Sequence, residues 1–211
     1  MTLLRRPYAP AEEPIEGRFY VLEGVSGIGK STLATLLAEW LGAATLHTLP
    51  EPLTSLSTDV NSALRPLPQF AFYLSGLLHA SDLVRAGLRG GPVVADRYMS
   101  SVVACHAAAN GVALDQARGL LEPFTPYLIR PHRTFYLRAS EGALRDRLAR
   151  KSDVKQDDTD LFGVPGRLAG LLANFEAVAA TDPSAVVLDT DDLGPKELTA
   201  YIIKSLETDD A

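Results

Sequence analysis

Cysteine is nearly absent: Cys105 is the only one in 211 residues. No disulfide can form within the chain, and a reducing, cytoplasmic compartment is the expected setting. The four histidines (His47, His79, His106 and His132) are scattered, with no metal-ligand spacing among them. No stretch reaches the roughly 18 apolar residues that a membrane-spanning helix requires. The opening MTLLRRPYAPAEEP has two early arginines but no apolar run after them, so it does not read as a secretory signal. Basic residues are also short, 20 against 26 acidic, for a net charge of −6. That argues against a nucleic-acid polymer as partner, because such binding needs a basic footprint. A small phosphorylated ligand needs only a few local cations and stays open.

What is present is ordinary for a globular protein: 46% hydrophobic and 22% charged residues. A chain this long is one sizeable domain able to bury about 70% of its unfolded surface. Residues 1–16 are rich in Pro, Ala and Glu and read as a flexible lead-in. From residue 17 onward, strand patterns alternate with helix patterns. Short β-branched or aromatic runs at 18–23, 44–49, 92–96, 134–138 and 185–189 predict five strands. Helical periodicity is predicted over 30–41, 68–89, 99–109, 114–121, 141–151, 161–180 and 196–206. Asn110-Gly111 marks a break. Residues 152–160 are polar and read as a mobile loop. Alternation of this kind predicts an α/β fold: a five-stranded parallel sheet with helices on both faces, in three layers.

Residues 24–31, GVSGIGKS, match GxxxxGK[ST] between the first strand and the first helix. Glycines let the backbone curl so that successive N–H groups face phosphate oxygens. The helix start adds its positive end. Ser26, Gly27, Ile28 and Gly29 would form the cradle, and Lys30 would reach the outer phosphates. The Ser31 hydroxyl would ligate Mg²⁺, and Thr32 would support the helix start. The bland alternative is a tight strand-to-helix turn without a ligand, but motif and context agree on a nucleoside triphosphate, ATP or GTP. A mechanical or signalling NTPase would need switch segments. A small-molecule kinase needs an acceptor pocket and a lid, and the arginine-rich helix before the polar loop suits the second.

Five ordered segments then resemble the thymidylate kinase and deoxynucleoside kinase family of P-loop kinases: FYVLEGVSGIGKST (19–32), PEP (50–52), ADRYMSS (95–101), FYLRAS (135–140) with ALRDRLARK after it, and VVLDT (186–190). The resemblance spans about residues 17–207. It implies a kinase domain over 17–211 with a lid at about 145–160, ATP as donor, Mg²⁺, and a homodimer. Apolar segments 70–83 and 102–108 would permit that pairing. It further implies catalytic roles for Lys30, Glu51, Arg97 and Arg147, with Glu51 as base toward an acceptor hydroxyl. Asp96 would join Ser31 at the metal. Arg147 and Lys151 would close over the donor phosphates. Phe72 would stack on the acceptor base, Tyr98 would wall the sugar pocket, and Arg97 would steer the acceptor or transferring phosphate. A core aromatic at 72 and a solvated face at 145–151 are the plain alternatives.

The chain departs from the thymidylate kinase pattern at three positions on the acceptor side. Pro50 stands where an arginine precedes the Glu-Pro. Gly76 stands where an arginine follows the stacking aromatic by a helical turn. Ser26 replaces an acidic P-loop residue. These departures favour an acceptor hydroxyl without a phosphate, on a nucleoside or on a non-nucleoside metabolite, over plain thymidine monophosphate. The first expectation is an ATP-dependent kinase of a nucleoside hydroxyl or a nucleoside monophosphate. A kinase of a non-nucleoside metabolite, such as an amino sugar or antibiotic intermediate, is a second. A non-catalytic NTP-binding module is a third.

Overall fold

A computed structural model of the chain describes residues 17–151 and 156–209. The expected flexible lead-in at 1–16 and part of the expected mobile loop, 152–155, lie outside the described residues. Five strands form one parallel sheet in the order β2-β3-β1-β4-β5, with β1 Phe19–Glu23, β2 Ala44–His47, β3 Val93–Asp96, β4 Arg133–Arg138 and β5 Ala185–Asp189. β1 lies at the centre and all five of its residues are buried. That is why it reads as an unbroken apolar run ending in an acid, not as an alternating strand. β2 and β5 are the edges and are largely exposed.

Nine helices are present among the described residues: α1 Lys30–Leu41, α2 Ser57–Ala63, α3 Pro66–Gly87, α4 Met99–Asn110, α5 Leu114–Leu121, α6 Glu141–Ala149, α7 Gln156–Gly163, α8 Arg167–Ala179 and α9 Pro195–Asp209. The chain moves one way along the sheet from β1 to β2 and the other way from β2 to β3. Right-handed crossovers therefore put α1 on one face and α3 on the other. The later steps, β3 to β4 to β5, keep the second direction, so α4 to α8 join the α3 face. α9 returns to pack on α1, and α4 packs on α3, α5 and α8. Both faces of the sheet are covered, as expected.

Several boundaries differ from expectation, each for a local reason. β2 stops at His47 because Leu49 takes φ 92°, outside the extended region. α3 begins at Pro66, since the first helical position needs no N–H and favours the fixed φ of proline. The run expected as one helix over 161–180 is two. Pro165 and Gly166 separate α7 from α8, with Gly166 at φ 74°. The segment 156–160, expected as loop, is the first part of α7. The short α2 and a 3₁₀ turn at Glu122–Tyr127 had no sequence signal strong enough to predict them. Asn110 ends α4 and Gly111 caps it at φ 62°, as the break predicted.

The core centres on Phe19, Leu22, Leu37, Leu77, Phe135, Leu144 and Ile202, all 0% exposed. Segments 70–83 and 102–108 spend much of their apolar surface inside this chain: Phe70, Leu74, Leu77, Ala80, Val102, Val103, Ala104 and Ala107 are buried. Trp40 on α1 and Tyr201 on α9 are the largest exposed aromatics. Truncating Phe135→Ala should cost about 3–5 kcal/mol, since a fully buried ring leaves a cavity that the sheet cannot collapse. Urea unfolding followed by circular dichroism checks this.

Candidate active site

The site lies at the carboxyl ends of β1 and β3, where α/β sheets hold their ligands. Leu22 pairs with Asp96 across these two strands. The loop after β1 and the turn after β3 are therefore neighbours although more than 70 residues apart.

The loop after β1 needs glycine at two positions for packing as well as for backbone conformation. At Gly24, φ 141°, a Cβ would lie 2.9 Å from the Leu137 carbonyl oxygen. At Gly27, φ 78°, it would meet the Leu148 side chain of α6 at 2.6 Å. Gly29, φ 103°, precedes the first residue of α1. Inside the curl, Lys30 Nζ donates to the Val25 carbonyl at 2.7 Å. Burial pushes this ammonium down to about 7, with the nearby Arg97 guanidinium adding to the effect and the carboxylates of Asp96 and Glu23 opposing it. Ser31 and Thr32 stand exposed on the first turn of α1.

Across the gap, Ser31 Oγ donates to Asp96 Oδ2 at 2.5 Å. The other oxygen of that carboxylate, Asp96 Oδ1, is buried with no hydrogen-bond partner. A buried anionic oxygen without a donor is costly, and a hydroxyl beside it completes a hard oxygen pair. The two fit Mg²⁺, which takes one or two protein oxygens and completes its shell with water and substrate phosphate. No cluster of three or more metal-ligating His, Cys, Asp or Glu occurs among the described residues.

Arg97 follows directly, in the left-handed region at φ 72°. Its NH1 lies 3.2 Å from the Gly24 carbonyl and 3.0 Å from Ser101 Oγ, which brings the guanidinium to the base of the P-loop. The Thr48 hydroxyl, beyond β2, holds the Arg97 carbonyl at 2.5 Å. Glu51 is exposed in the loop that follows. Phe72 is half-buried on α3, edge-on to Tyr73 at 5.4 Å, and outside the apolar core cluster. Gly76, one turn on, is sealed by Leu49, whose Cδ1 would lie 2.6 Å from a Cβ placed there.

Tyr98 is a correction. It was expected to wall a sugar pocket, yet it is 1% exposed and packs edge-on to Phe19 with ring centroids 5.1 Å apart. The Arg97 guanidinium turns to Gly24 and Ser101, while the next side chain, Tyr98, enters the core against Phe19.

On the lid side, Arg147 NH1 donates to the Ile28 carbonyl at 3.3 Å and to Thr190 Oγ1 at 2.8 Å, and NH2 to the Thr190 carbonyl at 2.5 Å. The arginine thus ties α6 to the P-loop and to the end of β5. Arg145 is engaged elsewhere, with Glu141 at 2.7 Å and 4.2 Å over the Phe162 ring. Lys151 pairs with Asp158 of α7 at 2.6 Å, and Asp158 also accepts from Ser26 Oγ at 2.5 Å.

Asp158, Glu23, Thr48 and Thr190 were not foreseen as site residues. Asp158 fell in a segment read as loop, and only the periodicity of 156–163 could have placed it. Glu23 did leave a signal, an acid closing an otherwise apolar strand immediately before the first glycine.

With this geometry in view, the comparisons with known proteins are informative. The thymidylate kinase family model matches residues 22–164, more than half of the chain. The chain belongs to the thymidylate kinase family. A thymidylate kinase of Prochlorococcus marinus strain MIT 9313 is 32% identical over 199 residues, covering 84% of this chain and 88% of its own. One of Leifsonia xyli is 34% identical over 161 residues, 67% and 75% of the two chains. Among solved structures, the thymidylate kinase of Candida albicans superposes with TM-score 0.75 over 92% of this chain and 93% of its own, at 18% identity. That of Ehrlichia chaffeensis gives 0.64 over 91% and 99%, at 20% identity. These two likenesses establish the shared P-loop kinase fold. Family membership makes the protein an ATP-using phosphotransferase that acts on a nucleoside or nucleoside monophosphate. The comparisons do not favour the amino-sugar and non-catalytic readings.

Two predictions follow from the charges. Because burial, with Arg97 beside it, lowers Lys30 to about 7, donor phosphates should raise its pKa on binding. Above about pH 7, ATP binding should therefore take up as much as one proton, and affinity should fall as pH rises. Calorimetry in buffers of different ionisation enthalpy measures the uptake, which Lys30→Met should abolish. Asp158→Asn removes a carboxylate from the P-loop rim and frees Lys151 for the donor. The Michaelis constant for ATP should drop roughly 3–10-fold, the scale of one charge-assisted hydrogen bond. A tenfold rise would show instead that this contact orders the lid.

Proposed function

We propose that the protein transfers the γ-phosphoryl group of Mg·ATP to thymidine monophosphate, forming the diphosphate and ADP. The observation that carries this reading is Arg97, which the β1–β3 pairing brings to the base of the P-loop within a chain of the thymidylate kinase family. A fixed guanidinium there suits a phosphorylated acceptor, since its planar fork matches phosphate oxygens.

The bond changes are few. An oxygen of the acceptor phosphate bonds to the γ-phosphorus, and the bond from that phosphorus to the β–γ bridging oxygen breaks, leaving ADP. Lys30 and the P-loop backbone hold the donor. Arg97 orients the acceptor phosphate against the γ-phosphorus. Lys151 neutralises charge from the lid side, and Arg147 fixes α6 on the P-loop. Phe72 offers a face for the base, and Glu51 stands at the acceptor entrance. Ser31 and Asp96 would hold Mg²⁺, which neutralises charge on the donor phosphates when bound. Positioning and charge neutralisation carry most of such a reaction. A homodimer is part of the proposal on the earlier resemblance, and a reducing, cytoplasmic setting on the single cysteine.

Acceptor chemistry gives the test. A phosphate oxygen is already anionic near neutral pH and needs no general base, whereas a sugar hydroxyl does. Assays of ADP release with thymidine monophosphate, thymidine and an amino sugar should show turnover with the monophosphate. With that acceptor, Glu51→Gln should lower kcat by less than about tenfold. A loss of about 10²–10⁴-fold, the usual contribution of a base, together with preference for thymidine, would overturn the reading in favour of a hydroxyl acceptor.

A further inference from the structure

Glu23 is the last residue of β1 and is 0% exposed. Its carboxylate accepts three hydrogen bonds, all from the segment that follows Arg97. Oε1 takes Tyr98 N at 2.8 Å and Ser101 N at 3.1 Å, and Oε2 takes Ser101 Oγ at 2.5 Å. Tyr98 is the N-cap of α4 and has no side-chain cap of its own. The N–H groups that a cap would satisfy go instead to a carboxylate from another element, placed where the helix dipole favours negative charge.

The chain of contacts continues past α4. Ser101 Oγ commits its proton to Glu23 and presents its lone pairs to Arg97 NH1, 3.0 Å away. The neighbouring residue of β1 takes part as well, because the Leu22 carbonyl accepts from Arg97 N at 3.0 Å. Arg97 itself sits at φ 72°, which L side chains rarely adopt, so something must hold it there. We propose that Glu23 is a positioning residue for phosphoryl transfer, acting through Ser101 to fix the Arg97 guanidinium at the base of the P-loop.

A cap that served stability alone would not need the Ser101 hydroxyl to face both ways. Burial raises the Glu23 pKa, and the Ser101 and Tyr98 donors and the Arg97 charge oppose that rise. The three donors are those an ionised carboxylate would accept.

The inference rests on the kinase reading above, so the wild-type protein is first assayed with thymidine monophosphate, thymidine and an amino sugar. Whichever turns over serves as acceptor for the variants, and an error about the acceptor is thereby separated from an error about Glu23. Ser101→Ala cuts the relay without changing buried charge. Its kcat/KM for the acceptor should fall by about 10²-fold, the scale of a misplaced catalytic group. The dissociation constant of ATP should stay within about threefold, the modest range expected if binding and positioning are separable. Ser101→Thr, which keeps the hydroxyl, should recover most of the rate. Glu23→Gln should show the same split, and if it fails to fold the Ser101 pair still decides. Unchanged turnover in Ser101→Ala would overturn the proposal. So would failure of Ser101→Thr to recover rate, or parallel losses of ATP binding and rate that track a lower Tm.

Discussion

Parallel pairing of β1 with β3 is the constraint on which the rest depends. It sets Leu22 opposite Asp96, so that the P-loop leaving one strand and the Asp96-Arg97 turn leaving the next emerge side by side. Lys30, Asp96 and Arg97 all lie on the two segments that leave that junction. The −6 net charge of the whole chain is a property of its surface; the cations at the site are few and local. The same junction buries Lys30 beside Arg97, and both lower its pKa, while the Asp96 and Glu23 carboxylates oppose them.

The lid side is organised around backbone carbonyls. Arg147 reaches the carbonyls of Ile28 and Thr190, so α6, the P-loop and the end of β5 are tied together at that point. Lys151 and Asp158 form a second layer, in which α7 supplies a carboxylate that faces both the lid cation and the P-loop serine. Ser26 thus has an acid beside it, one delivered from α7. The acceptor side differs in another way. Leu49 leaves the strand at φ 92° and fills the space beside Gly76, so the wall of α3 there is apolar.

The sheet, the strand count and the P-loop were legible in the sequence because they are local. A buried strand is a short apolar run, and a phosphate loop is a glycine spacing. Lys30, Ser31, Asp96 and Arg97 were legible for the same reason, each sitting at a motif's fixed offset from a strand end. Tyr98 was misread because its burial depends on packing against Phe19 of β1, far away in sequence, which no local pattern encodes. Asp158 was missed because its role depends on a partner 132 residues away. Glu23 was visible as an acid on an apolar strand. What it caps could be known only once β1 and α4 were set against each other.

The contact between Gly27 and Leu148 ties the phosphate loop to α6 in shape, beside the Arg147 hydrogen bond to Ile28. Any side chain at position 27 would collide with the leucine, so the two elements can change only together. A chimera carrying a relative's lid would therefore have to bring a residue at 148 that leaves the glycine room. A P-loop transplanted alone would keep its fit only if it kept that glycine.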